Sequence, residues 1–192
     1  WMPDELVNGT VDTSKLTQLV CGYQAAAMVV DGKVTVWGNA NALLNMRELR
    51  DGNYENVEKV VLSNYYALLL MKDGSVVCPG GAFNYDRVTS SKGNKVEFVS
   101  YLAGKKAVDI AATKDCFAIL LEDGEVLVRG DSRYGETTVA EIPAGEKLVK
   151  LSGGSMHFAG VSDAGKAYVW GSNEKGQASD RINGKECAEV YT

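Results

Sequence analysis

The stretch Asp31-Gly32-Lys33-Val34-Thr35-Val36-Trp37-Gly38 decides the fold: a turn, a short alternating segment and a closing glycine. It recurs from Asp73-Gly74 to Pro79-Gly80, from Asp123-Gly124 to Arg129-Gly130 and from Ala164-Gly165 to Trp170-Gly171. Successive turn glycines stand 42, 50 and 41 residues apart. A repeat of this period is one supersecondary unit stacked several times, and its length suits a propeller blade better than a helical hairpin.

Each copy follows a short apolar run: Ala25-Ala26-Ala27-Met28-Val29-Val30, Ala67-Leu68-Leu69-Leu70-Met71, Phe117-Ala118-Ile119-Leu120-Leu121 and Phe158-Ala159-Gly160-Val161. Such runs read as strands buried on both faces. Beyond the turn the pattern alternates, with Val34/Val36, Val76/Cys78, Val126/Val128 and Ala167/Val169 sharing a face. An Asp-Gly between two such runs predicts a tight hairpin, since glycine accepts the positive φ that a primed turn requires. Upstream segments such as Ala107-Val108-Asp109-Ile110-Ala111 and Lys147-Leu148-Val149-Lys150-Leu151 add a further strand per unit.

The 192 residues, 45% hydrophobic, suffice for a sizeable core and predict one domain, 1–192, with approximate repeats 10–50, 51–92, 93–142 and 143–184. No apolar stretch approaches bilayer length, and no charged-then-apolar signal segment opens the sequence. The expectation is a cytoplasmic or assembly-associated location, a virion included. A net charge of −5 argues against a nucleic-acid partner, whose affinity comes mainly from phosphate neutralisation.

Cys21, Cys78, Cys116 and Cys187 are scattered and the chain has one histidine, so no metal or cofactor site is expected and the cysteines read as small buried hydrophobes. Asn8-Gly9-Thr10 matches a glycosylation acceptor, a pattern common by chance. Asp31, Asp73 and Asp123 could be drawn as a carboxylate ring, yet each precedes a turn glycine, where aspartate bonds the local backbone. No nucleophile or paired carboxylate accompanies His157, so no catalytic residue is assigned and the chain reads as a non-enzyme.

Aligned on their glycines, the repeats resemble those of the regulator of chromosome condensation family. Gly154-Ser155-Met156-His157-Phe158-Ala159 followed by Gly165-Lys166-Ala167-Tyr168-Val169-Trp170-Gly171-Ser172-Asn173-Glu174-Lys175-Gly176-Gln177 matches best, and Cys21-Gly22-Tyr23-Gln24 with Val36-Trp37-Gly38-Asn39 also matches. The resemblance implies an all-β fold, a β-propeller of four-stranded blades, in which His157 makes structural hydrogen bonds. The family's propellers usually carry seven blades and this chain about four. It therefore closes as a four-bladed ring or is a partial propeller completed by another copy, another chain or a missing portion. Gln24, Tyr66 and Cys116 replace the histidine in other copies, and Pro79 and Arg129 replace the tryptophan.

Three segments depart from the repeat. Ala42–Arg50 has helical spacing and predicts a short helix between the first two blades. Gly130–Val139 resembles inter-blade segments of propeller-shaped β-lactamase inhibitor proteins. Between Gly81 and Lys106, where the repeat is stretched, Phe83, Tyr85, Phe98 and Tyr101 stand among Arg87, Lys92, Lys95, Lys105 and Lys106. Residues 86–106 hold five basic and two acidic residues on an otherwise acidic chain. Aromatics interleaved with cations are enriched at protein interfaces. Tyr85, Arg87, Lys92, Lys95, Tyr101, Lys105 and Lys106 are accordingly the candidate partner-binding residues on a long loop, for a protein partner with an acidic surface; a solvated loop explains them as well.

The leading functional expectation is a non-enzymatic protein-binding scaffold acting through inter-blade loops or blade edges, in a larger assembly or homo-oligomer. A bacterial or phage structural or inhibitor protein is the alternative, and nucleotide exchange on a small GTPase, which the resemblance brings to mind, ranks below both.

Overall fold

The computed structural model describes residues 2–39, 46–79, 87–92, 94–130 and 133–189, the side chains of Met46 and Arg87 excepted. The chain divides into two compact units, Trp1–Phe83 and Asn84–Thr192. Each holds two antiparallel sheets built on the recurring phrase. No helix among the described residues is long and apolar enough to cross a membrane.

In unit one, the first sheet runs β1 (Leu16–Cys21), β2 (Ala25–Val30), β3 (Lys33–Gly38), after a short helix α1 (Asp4–Val7) and a 3₁₀ turn Thr13–Lys15. Helix α2 (Met46–Asp51) follows; the rest of the expected helix, 42–45, lies outside the described residues. The second sheet runs β4 (Val57–Leu62), β5 (Ala67–Met71), β6 (Val76–Val77). The trailing face of the first sheet, through Ala25, Ala27, Val29 and Val36, packs on Val57, Val60 and Leu69 of the second, with Leu49 of α2 closing the cluster.

In unit two, one sheet has the order β8-β7-β11-β10-β9, from β7 (Arg87–Ser90), β8 (Lys95–Glu97), β9 (Ala107–Ala112), β10 (Cys116–Leu121) and β11 (Val126–Gly130). Helix α3 (Phe98–Leu102) joins β8 to β9. The last sheet runs β12 (Leu148–Gly153), β13 (His157–Ser162), β14 (Lys166–Gly171), β15 (Lys185–Glu186). Cys116, Ala118 and Leu120 on the trailing face of β10 meet Leu148, Leu151 and Trp170 of the last sheet. Trp170 stacks on Phe158 with ring centroids 5.6 Å apart.

The four sheets are β-propeller blades, and their strand numbers differ from the uniform four that the resemblance implies: three, three, five and four among the described residues. The stretched segment 87–102 is the cause. Instead of a loop it forms a hairpin and a helical turn that add two outer strands to the third blade through β7–β11 pairing.

The turn glycines are conformationally equivalent, with φ of +73° at Gly32, +84° at Gly74 and Gly124 and +69° at Gly165. Only the first turn is the two-residue form, Asp31 itself standing at φ +51° between the paired residues Val30 and Lys33. The second and third are three-residue loops, closed by Met71 N to Ser75 O at 2.9 Å and Leu121 N to Glu125 O at 2.8 Å, with glycine in the left-handed position. The closing glycines are fixed by strand approach: at Gly171, φ +104°, a Cβ would stand 2.7 Å from His157 Cα.

Candidate functional site

The hairpin that widens the third blade brings its cations onto one carboxylate. Glu125 follows the turn Asp123-Gly124 and its side chain is fully enclosed. Ser90 Oγ of β7 donates to it, Tyr101 OH of α3 donates at 2.8 Å, and Lys92 Nζ lies at 3.0 Å. Lys105 Nζ stands 3.7 Å from Oε2 and 3.2 Å above the Tyr101 ring, a cation–π contact. Lys92 also reaches Asp123 at 3.2 Å.

Burial alone would raise the Glu125 pKa, but the hydrogen bonds from Ser90, Lys92 and Tyr101 outweigh it and hold the carboxyl below its ordinary range. The same bonds, from Glu125 first and Asp123 second, raise the Lys92 pKa. Both groups are thus locked in their charged forms. The arrangement fastens the hairpin and α3 to the third blade. Glu146 forms a similar knot, accepting from Ser162 Oγ at 3.0 Å, Tyr168 OH at 2.9 Å and Lys166 Nζ at 2.5 Å.

Of the candidate partner-binding residues, Lys92, Tyr101 and Lys105 converge on Glu125, while Lys95 and Lys106 are exposed. Arg87 begins β7; its side chain, and the whole of Tyr85 and Phe83, lie outside the described residues. Phe98 is buried as the first residue of α3. Sequence reading missed Glu125, whose only signal was a cluster of cations lacking a counter-ion.

The other chemistry-bearing residues are placed as follows. Asp73 Oδ1 accepts from Ser75 N at 2.9 Å and Asp123 Oδ1 from Glu125 N at 2.9 Å, as turn aspartates do. Asp31 pairs with Lys15 at 3.3 Å. Cys78 and Cys116 are buried, but Cys21 is exposed and Cys187 half-buried, because β1 has an open face and Cys187 lies in the C-terminal tail. His157 is half-buried, its ring lying against Gly154, where a Cβ would sit 2.5 Å from Cε1; burial pushes its pKa down. No group of three or more His, Cys, Asp or Glu among the described residues could hold a metal ion.

The second feature is an open sheet face. Register aligns Leu19 of β1, paired to Met28, with Val60 of β4, paired to Leu69, and with Leu151 of β12, paired to Gly160. Val60 is 0% exposed and Leu151 2%, while Leu19 is 61% exposed. The neighbouring Leu16 is exposed too, although its counterparts Val57 and Leu148 are buried. Trp37, paired to Ala26, occupies the place of Trp170, paired to Phe158. Trp170 is buried and donates Nε1–H to the Glu136 carbonyl at 3.0 Å; Trp37 is half-buried. On the leading face of the first blade Leu16 and Leu19 are thus exposed and Trp37 half-buried, while Met28, the cross-strand partner of Leu19, is buried.

Comparison with known proteins agrees with this architecture. Residues 148–177 match the model of the Regulator of chromosome condensation (RCC1) repeat. The structure of yeast RCC1 (Prp20) bound to Kap60 is similar at a TM-score of 0.61 and 17% identity, over 90% of this chain and 47% of that one. Human WBSCR16 is similar at 0.58 and 20% identity, over 92% and 53%. The CRINKLY WD40 ectodomain of the Arabidopsis thaliana receptor kinase ACR4 is similar at 0.56 and 16%, over 81% and 50%. The chain spans about half the length of these structures. At such identities the likeness establishes the fold, a β-propeller, and residues 148–177 carry the RCC1-type repeat.

Proposed function

We propose that the chain is a non-enzymatic protein-binding scaffold of the RCC1-like propeller type, and that it binds through the leading face of its first blade. The observation that carries this reading is the exposure of Leu19 at a position where Val60 and Leu151 are buried. An apolar sheet face left open on a folded unit marks an interaction surface. The related structures include yeast RCC1 with Kap60, and Prp20p of Saccharomyces cerevisiae with its binding properties to Gsp1p and histones, so proteins of this fold take protein partners. The exchange-factor and inhibitor readings rest on likeness alone, whereas this one is supported by a feature of the chain itself.

The test is recovery of the partner from the native source with the intact chain and with Leu19→Lys as baits. A stoichiometric partner retained by the first and lost from the second is the expected result. Equal recovery would move the interface elsewhere, first to the exposed lysines Lys95 and Lys106.

A further inference from the structure

We infer that Asn8 is a site of spontaneous covalent modification: its side-chain amide condenses with the backbone nitrogen of Gly9, ammonia leaves, and hydrolysis yields aspartate and isoaspartate, releasing the turn that closes α1. The inference is independent of the protein-binding reading.

The reaction needs a backbone nitrogen able to attack and a side chain able to meet it. The Gly9 nitrogen gives its proton to solvent base and bonds to Asn8 Cγ, the Cγ–Nδ2 bond breaks, and Nδ2 departs as ammonia. Water then opens the cyclic imide at either carbonyl. Opening at Cγ restores the ordinary chain with an aspartate; opening at the backbone carbonyl carbon leaves the chain running through Cγ, as isoaspartate. In sum the side-chain amide and water become a carboxylate and ammonium, with no change in oxidation state. Glycine favours the step because it has no Cβ to obstruct the approach.

The sequence has two Asn-Gly and four Asp-Gly steps, and the fold locks most of them. Gly184 N donates to Ala167 O at 2.9 Å and Asn183 Oδ1 accepts from Val169 N at 2.8 Å, so both partners in that step are held. The nitrogens of Gly52, Gly74 and Gly124 are committed to Glu48 O, Met71 O and Leu121 O, each at 2.9 Å. At Asp31-Gly32 the side chain is a carboxylate paired with Lys15 at 3.3 Å, a far poorer electrophile than a neutral amide.

Asn8-Gly9 lacks these locks. Both residues are exposed, Gly9 N has no acceptor among the described residues, and a Cβ at Gly9, φ +66°, would meet nothing within 4 Å. Asn8 stands at ψ −3°, so ring closure swings the Gly9 peptide out of the turn. What opposes that swing is the bond from Thr10 N to Glu5 O at 2.9 Å, in an exposed segment. Isoaspartate lengthens the main chain between those two groups and adds a negative charge at the carbonyl end of α1, where anions are unfavourable. No residue of α1 is buried to hold it once the turn is lost.

The intact chain is aged in mildly alkaline heavy-oxygen water and mapped by peptide mass spectrometry, beside the same chain unfolded in urea. In urea both Asn-Gly steps are expected to react at similar rates. In the folded chain the Asn8 peptide is expected to take up heavy oxygen and separate into aspartate and isoaspartate forms. The Asn183 peptide is expected to react at least about tenfold more slowly than in urea, because it must first open a hydrogen-bonded segment. Hydrogen exchange at the Thr10 N–H is expected to rise in the aged chain and to stay unchanged in aged Asn8→Gln, which keeps an amide but not the ring-closing geometry. A folded chain in which Asn8 keeps its amide while reacting in urea overturns the inference, as does one in which Asn183 reacts as fast as Asn8. Unchanged exchange at Thr10 in the modified chain overturns the release of α1.

Discussion

Gln18 and Val60 are joined at both ends of the side-chain amide: Oε1 accepts from Val60 N at 2.8 Å, and Nε2 donates to Val60 O at 2.9 Å. In unit two Asp109 accepts from Leu151 N at 2.7 Å. Gln18 and Asp109 both follow the bulge of a first strand, and Val60 and Leu151 hold one position in the next blade. A repeat-equivalent staple thus satisfies backbone groups that the sheet ladder leaves free where one blade meets the next. Losing it strands a buried N–H, which costs roughly 1–3 kcal/mol. Gln18→Ala and Asp109→Ala should each lower the urea midpoint accordingly. Asp109→Asn should recover only part of the loss, since one of its two acceptors becomes a donor facing an N–H.

The Glu125 network makes stability depend on acid. Its folded-state pKa is depressed, so its contribution is fully present above the ordinary value of 4.5 and is lost as pH falls through the depressed value. Glu125→Gln keeps the shape but not the charge. It should unfold more easily at pH 7, by roughly 2–3 kcal/mol for a buried charged hydrogen-bond acceptor, and show a smaller loss on acidification below 4.5. Thermal melts of both proteins across that range check the difference; parallel curves would show that another carboxylate governs the acid transition.

The blades were legible in the sequence because their signals are local. Gly32, Gly74, Gly124 and Gly165 mark turns whose φ any neighbouring residues would require, and alternation such as Val34/Val36 is a property of a single strand. Glu125 was not legible, because its partners Ser90, Lys92 and Tyr101 come from 24 to 35 residues away and reach it only through β7–β11 pairing. The openness of the first blade was equally hidden. Leu19 and Leu151 are the same residue type in the same pattern, and only the presence of a preceding blade separates buried from exposed. The extra strands were read as a loop because Arg87–Ser90 and Lys95–Glu97 are short and rich in polar residues.

His157 is held by packing more than by hydrogen bonds, so His157→Ala should cost about 1 kcal/mol or less, the worth of a half-buried ring's apolar burial. Gly154→Ala should cost more, since the new Cβ meets the ring 2.5 Å from Cε1. Combined, the two should be less destabilising than their sum, because removing the ring relieves the clash; an additive double-mutant cycle would place the strain elsewhere. The depressed imidazole pKa adds a pH signature. Stability contributed by the neutral ring is present above the ordinary value of 6.5 and declines as pH falls below it, and His157→Ala should flatten that segment of the profile.

The lysines of the widened blade separate into two classes. Lys92 and Lys105 neutralise an enclosed carboxylate, so exchanging both for serine leaves Glu125 with fewer counter-charges and should lower the melting temperature. Lys95 and Lys106 are exposed, and their replacement by serine should leave the melting temperature within error. If the cationic edge also steers an acidic partner, the second pair should slow association and reduce its dependence on salt, while dissociation stays unchanged. Stopped-flow association at two ionic strengths reads this directly. An unaltered association rate in Lys95→Ser/Lys106→Ser, beside a large loss with Leu19→Lys, would assign recognition to the open apolar face alone and leave the lysine cluster the single task of fastening β7, β8 and α3 to the third blade.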